Sequence, residues 1–291
     1  MQQNNTLGVI TMLAAMAFLI VNDTIVKLTS NNLPTGEIIF IRGLMASTII
    51  LLVSWMRGEF SRWRTLLQKG VVLRTIGETT ATMFYLSALV LMPIGNITAI
   101  LQVAPLLATA GSALFLGEKV GMRRWIAAFA GFLGVLLIIK PGAEGFHIAS
   151  ILALAGVFFV AVRDVSTRTV SGDAPSFLIT SASAIMVTLA GLVYAMFEPW
   201  VPMQPAEFMG LALASICILG GYYFVLISFR VGEVSFISPF RYSIVIWAIL
   251  IGYFVWGDIP DMWTFAGIFI VIVAGVYTFR REAKVRTPAS R

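Results

Sequence analysis

The chain has 291 residues, of which 59% are hydrophobic and 12% charged, and its mean hydropathy is +0.92. A water-soluble domain carries about 25% charged residues, so half that fraction excludes a soluble globular protein of this length. The net charge of +6 does not mark a nucleic-acid binder either, because the basic residues fall between apolar blocks.

Those blocks are about twenty residues long, the helix length that crosses a hydrocarbon core about 30 Å thick. Lipid cannot satisfy backbone N–H and C=O groups, so a spanning segment is helical or part of a closed barrel. Barrel strands alternate apolar and polar residues. Residues 126–139 carry no polar side chain and residues 148–162 only Ser150, so no alternation is present, and helices are predicted. In chain order they cover about 7–28, 37–57, 71–91, 94–116, 123–139, 148–169, 175–197, 206–229, 234–256 and 262–279. The stretch 1–8 lacks the basic n-region of a secretory signal, so the first block is expected to be retained. Connections are short, and Met92-Pro93 and residues 230–233 are very tight.

Orientation follows from the Lys and Arg count. With a cytoplasmic N-terminus, the inner segments hold Arg57, Arg62, Arg64 and Lys69; Lys119, Arg123 and Arg124; Arg163 and Arg168; Arg230; and Arg280, Arg281, Lys284, Arg286 and Arg291. The outer segments hold only Lys27 and Lys140, together with the acids Glu144, Glu198, Glu207, Asp258 and Asp261. Fifteen basic residues against two place both termini inside, and the alternation holds only if there are ten spans.

One cysteine, Cys217, allows no intramolecular disulfide, and one histidine, His147, allows no His-rich metal centre. No phosphate-binding Gly-x-x-x-x-Gly-Lys loop, His-Glu-x-x-His or nucleophile elbow is present, so neither a cofactor nor a metal is expected. An intramembrane enzyme would need clustered catalytic groups, which this chain lacks. A channel is the other remote class.

The chain also repeats. Gly117-Glu118 closes the fourth block and Gly257-Asp258 the ninth, 140 residues later; Gly134-Val135 and Gly275-Val276 are 141 apart. A repeat unit of five spans makes the second copy cross in the opposite sense, and inverted repeats place a solute site near mid-membrane, reached by alternating access. The expected division is 1–141 and 142–291.

Several of these residues carry a family resemblance. Gly117-Glu118-Lys119 before the Trp125–Val135 stretch, Pro239-Phe240-Arg241-Tyr242 leading to Gly257-Asp258-Ile259-Pro260-Asp261, and the closing Ala274-Gly275-Val276-Tyr277 resemble the drug/metabolite transporter superfamily, in its branch with two EamA repeats. Asn22-Asp23 with Lys27 and Phe40-Ile41-Arg42-Gly43 are similar to the first repeat of such proteins. Gly-Asp in the second half stands where the first has Gly-Glu. Within the superfamily the chain most resembles YddG-type exporters of aromatic and other neutral amino acids. The resemblance implies ten helices around a central cavity in the bacterial inner membrane, with export of small metabolites by a single chain. An importer or exchanger of a nucleoside-type or sugar-type solute is the alternative.

Ionisable groups inside spans cost about 2.5–3.5 kcal/mol each on insertion scales and face the bundle interior by default. Asp23 and Lys27, four residues apart on one helical face, either border the cavity or form an anchoring ion pair. Arg42 and Glu78 lie at different depths; each either meets solute charge or is held by a structural partner. Arg241 follows Pro239, where a broken helix would expose backbone to a solute. Tyr85, Gln102, Ser238, Tyr242 and Trp247 supply a polar and aromatic lining, as Tyr222 and Tyr223 also do, unless they sit in interface belts. Ala113-x-x-x-Gly117 and Ala127-x-x-x-Gly131 are read as helix-packing pairs.

Overall fold

The computed structural model describes residues 4–118, 121–140 and 148–286, except for the side chains of 234, 235, 279 and 281–286. Lys119, Glu144, His147 and Arg291 lie outside the described residues, as does the expected boundary at 141. All regular elements described are helical. They are α1 (Asn5–Thr29), α2 (Thr35–Met56), α3 (Lys69–Leu91), α4 (Ile94–Phe115), α5 (Met122–Ile139), α6 (Ile148–Thr167), α7 (Ser176–Ala195), α8 (Pro205–Val231), α9 (Ser238–Trp256) and α10 (Met262–Arg286). A short 3-10 helix, Glu59–Leu67, joins α2 to α3.

Eight of these helices are long and apolar enough to cross a membrane, and α10 contributes the apolar stretch Met262–Thr278. The exception is α3. It has 23 residues, but its first half carries Arg74, Thr75, Glu78, Thr79 and Thr80. Part of that polarity is answered by neighbouring helices: Arg74 donates to the Ser183 hydroxyl at 2.9 Å, and Glu78 accepts from Arg163 at 3.0 Å. Paired groups of this kind are what a span can tolerate. The fold is that of an all-helical, multi-pass membrane protein, with helices at the ten positions expected from the sequence.

The chain forms two compact units, and both cut across its sequence halves. The first unit comprises Met1–Val21, Met92–His147 and Cys217–Arg291; the second comprises Asn22–Leu91 and Ile148–Ile216. The division therefore falls within α1 and within α8.

In the second unit α2 packs on α7 and α3 on α6. Glycines set these contacts: a Cβ on Gly191 would lie 2.8 Å from the Phe40 nitrogen, and one on Gly77 would lie 2.9 Å from that of Arg163. In the first unit α5 crosses α10 at Gly134 and Gly267, where a Cβ on either would meet the other's carbonyl oxygen at 2.8 and 2.5 Å. Close backbone approach through small residues is how spans pack without a hydrophobic driving force. Met12, Ala15, Met16 and Ile237 are buried against Phe224, Val225 and Phe240.

The motif repeated at 140 residues has a matching backbone in both copies. Gly117 and Gly257 adopt left-handed conformations, φ 69° and 73°. The next amide donates six residues back, Glu118 to Ser112 at 3.3 Å and Asp258 to Gly252 at 3.1 Å. This is the 6→1 bond of a Schellman cap, which requires a residue that tolerates positive φ. Gly117 ends α4, as the sequence led one to expect, but the expected packing pair with Ala113 is not made there: nothing lies within 4 Å of a Cβ placed on Gly117. Gly131 does pack, directly over Leu106.

Candidate functional site

In the second unit, α1, α2 and α3 bring together three of the residues singled out in the sequence. Asp23 and Arg42 are 8% and 5% exposed, so each charged group needs a partner within the protein. Arg42 Nη1 donates to Asn22 Oδ1 at 2.9 Å, Asn22 Nδ2 donates to Asp23 Oδ1 at 2.9 Å, and the Tyr85 hydroxyl donates to Asp23 Oδ2 at 2.6 Å. The result is a continuous polar chain from guanidinium to carboxylate to phenol. Lys27, one turn beyond Asp23, sends its ammonium to the Leu89 carbonyl at 2.9 Å. Ser215 on α8 donates to the Arg42 carbonyl at 3.1 Å.

Glu78 is not part of this chain. It pairs with Arg163 of α6, which also holds Asp164 at 2.9 Å. Arg163 reads in the sequence as a loop charge. The structure places it in the last turns of α6, a quarter exposed, where it ties that helix to α3. Its sequence signal was the acid it needed, Glu78, on a span otherwise too polar for lipid.

Glu37 was also missed. It is 1% exposed in the first turn of α2, where an acid ordinarily reads as a helix-dipole residue. Its Oε2 accepts from the Val201 amide at 3.1 Å, while the Gly36 amide donates to Glu198 at 2.7 Å. These reciprocal bonds clasp the start of α2 to the segment between α7 and α8.

The remaining singled-out residues fall in the first unit, which contains two interrupted helices. α4 is broken between Leu101 and Ala104: the Gln102 and Val103 amides turn back three residues, to Ala99 at 3.2 Å and Ile100 at 3.1 Å. Pro105 has no N–H to offer the Leu101 carbonyl, and the Leu106 amide goes to Val103 at 2.9 Å. α9 opens as a 3-10 segment, Ser238–Tyr242, around Pro239, before Ser243–Trp256 continues as α-helix. Gln102 is half-buried, Ser238 and Tyr242 are buried, Arg241 is exposed and Trp247 is 36% exposed. Tyr222 and Tyr223 are exposed. Tyr242 reaches α10 at Gly275, where a Cβ would fall 1.6 Å from its hydroxyl and 2.2 Å from Cζ. The missing side chain of Gly275 is the seat of that phenol.

The first unit also holds a cavity of about 250 Å³ between the α3–α4 turn, the end of α5, the end of α9 and the start of α10. Its charged groups are Lys140, Asp258 and Asp261. Lys140 and Asp261 form an ion pair, and Asp261 also accepts from the Thr264 amide at 2.9 Å. The Lys140 hydrogen bond, then that amide, hold the Asp261 carboxyl down to about 2. Among the described residues no group of three or more His, Cys, Asp or Glu side chains is arranged to hold a metal ion.

Two stretches, residues 6–140 and 147–280, each match the EamA-like transporter family. The chain belongs to that family. As an EamA-like protein it is a membrane transporter and not an enzyme. It is 29% identical over 266 residues to a riboflavin transporter of Vibrio cholerae, covering 90% of this chain and 89% of the relative. It is 24% identical to a pseudopaline exporter of Pseudomonas aeruginosa, covering 93% and 94%, and 23% identical to an S-adenosylmethionine uptake transporter of Rickettsia prowazekii, covering 91% and 89%. A protein of known crystal structure matches 95% of this EamA-like chain and 99% of its own with a TM-score of 0.64. At 17% identity that match shows the fold alone.

Proposed function

We propose that this EamA-like protein is a secondary carrier, working as a single chain by alternating access in a bacterial inner membrane with both termini cytoplasmic. The observation that carries the reading is the pair of interruptions in α4 and α9, corresponding spans of the two repeats. Discontinuous helices at matching positions free backbone groups for solute, and they are the best structural pointer to a carrier's binding region. Gln102, Ser238 and Tyr242 stand at those breaks as the neutral hydrogen-bonding groups of the site, with Trp247 as an aromatic wall. Asp23, Arg42 and Tyr85 form the charged element that responds to solute or proton, and Glu78 a second one through Arg163.

The cargo is a small organic solute, and the likeness to YddG-type exporters supports outward movement of neutral and aromatic amino acids. A second reading has its own support: the 29% identity to a riboflavin transporter over 90% of the chain favours a flavin-like ring solute. The relatives include both an exporter and an uptake system, so direction is decided by assay. In purified, reconstituted vesicles preloaded with phenylalanine, riboflavin or S-adenosylmethionine, the expected result is saturable counterflow of one solute class, reduced about tenfold or more by Arg42→Gln. Absence of saturable flux for every solute overturns the carrier reading, and flux of riboflavin alone overturns the amino-acid reading.

A further inference from the structure

We propose that the cavity between the ends of α5 and α9 is a binding site for small organic ammonium ions, separate from the broken-helix region. It does not depend on the carrier reading. The interruption of α9 ends at Tyr242 and the cavity's lining on α9 is Ala248, Ile249 and Gly252, six to ten residues further on, about 9–15 Å at 1.5 Å rise per residue, so the cavity lies beyond the interruption, towards the end of that helix.

Three observations define the ligand. The cavity's 250 Å³ equals the volume of about eight waters at about 30 Å³ each, too large for a bare metal ion and right for a small organic molecule. Its charged lining is one ammonium and two carboxylates, and the ammonium of Lys140 is taken by Asp261. Asp258 is then the net charge, and no ion pair among the described residues joins it. The Schellman cap at Gly257 fixes its backbone at the cavity edge. The rest of the lining is apolar or neutral, Ile249, Ile259 and Pro260 beside Asn96 and Thr264. This suits an ammonium on a short apolar body.

Lys140 is held in place at the cavity edge. Its φ of 52° makes it the left-handed cap that ends α5. Its amide is fixed to the Leu136 carbonyl at 2.8 Å, and its side chain is held by Asp261. Lys140 therefore neutralises Asp261 and leaves Asp258 as the carboxylate that meets the ligand. A free carboxylic acid lacks a cationic partner here unless it displaces Asp261 from Lys140.

The test uses the full-length protein carrying Ile259→Cys, a residue 72% exposed at the cavity rim; the native Cys217 is buried. Labelling of this thiol by a methanethiosulfonate reagent is timed with phenethylamine, phenylacetate or 2-phenylethanol present. Protection follows 1 + [L]/Kd, so phenethylamine at about four times its Kd slows labelling about fivefold, while phenylacetate does not. Asp258→Asn removes the protection and Asp258→Glu keeps it, with unchanged melting temperatures. No protection by phenethylamine, equal protection by the neutral alcohol, or protection that survives Asp258→Asn each overturns the assignment. No transport is measured, so loss of the carrier reading would leave this result standing.

Discussion

The two compact units solve the problem of a polar interior in opposite ways. The second unit keeps ionised groups inside and answers them with one another: Arg42 with Asn22, Asn22 and Tyr85 with Asp23, Arg163 with Glu78. The first unit keeps polarity in its backbone, by breaking α4 at Gln102 and opening α9 as a 3-10 segment, and moves its ion pair Lys140–Asp261 to the rim. A buried ion needs several oriented partners at once, whereas a freed carbonyl needs one donor. The second unit thus holds paired charges, and the first holds neutral hydrogen-bonding groups at its breaks.

The largest effect is expected from filling the first unit's notch. Gly275→Ala drives a methyl group into the Tyr242 ring and costs about 3 kcal/mol or more, the upper end of overpacking penalties. Tyr242→Phe does not restore stability, since the ring carbons at 2.2 and 2.9 Å remain; Tyr242→Ala does. Thermal melts of the purified single and double variants check this, and equal loss in all three backgrounds would sink the steric account.

A smaller effect is expected in the second unit, where a network, not a contact, is at stake. Tyr85→Phe and Asp23→Asn each cost about 1–2 kcal/mol, and together less than their sum by about 1 kcal/mol, because they share one hydrogen bond. Strict additivity in the double-mutant cycle would show that Tyr85 and Asp23 act separately.

The smallest effect belongs to the rim. The folded value of Asp261, about 2, lies below its ordinary 3.8, so its contribution is complete above pH 4 and fades as pH falls towards 2. The difference in melting temperature between the native chain and Asp261→Asn is therefore constant above pH 4 and shrinks towards pH 2. A difference that grows on acidification would contradict the pairing with Lys140.

The helices and their ends were legible from residue order, since apolar run length and the Gly117 and Gly257 caps are local properties. Of the site residues, Asp23, Arg42 and Tyr85 stood out because an ionisable or phenolic group inside a span is conspicuous. Arg163 and Glu37 did not, because a basic residue near a helix end and an acid in a first turn are what any span carries. Only their burial against Glu78 and Val201 distinguishes them.

The sequence by itself determined that this chain is a ten-helix membrane protein with a five-span repeat, because lipid imposes length, helicity and charge asymmetry on each segment separately. Tertiary structure decided which spans belong together: α2 with α7, α3 with α6, α4 with α9 and α5 with α10. It also decided that Asp23 and Arg42 share one polar chain while Glu78 belongs to another. Those outcomes depend on which glycine faces which backbone and which donor meets which acceptor, distances between residues far apart in the chain that no local pattern encodes.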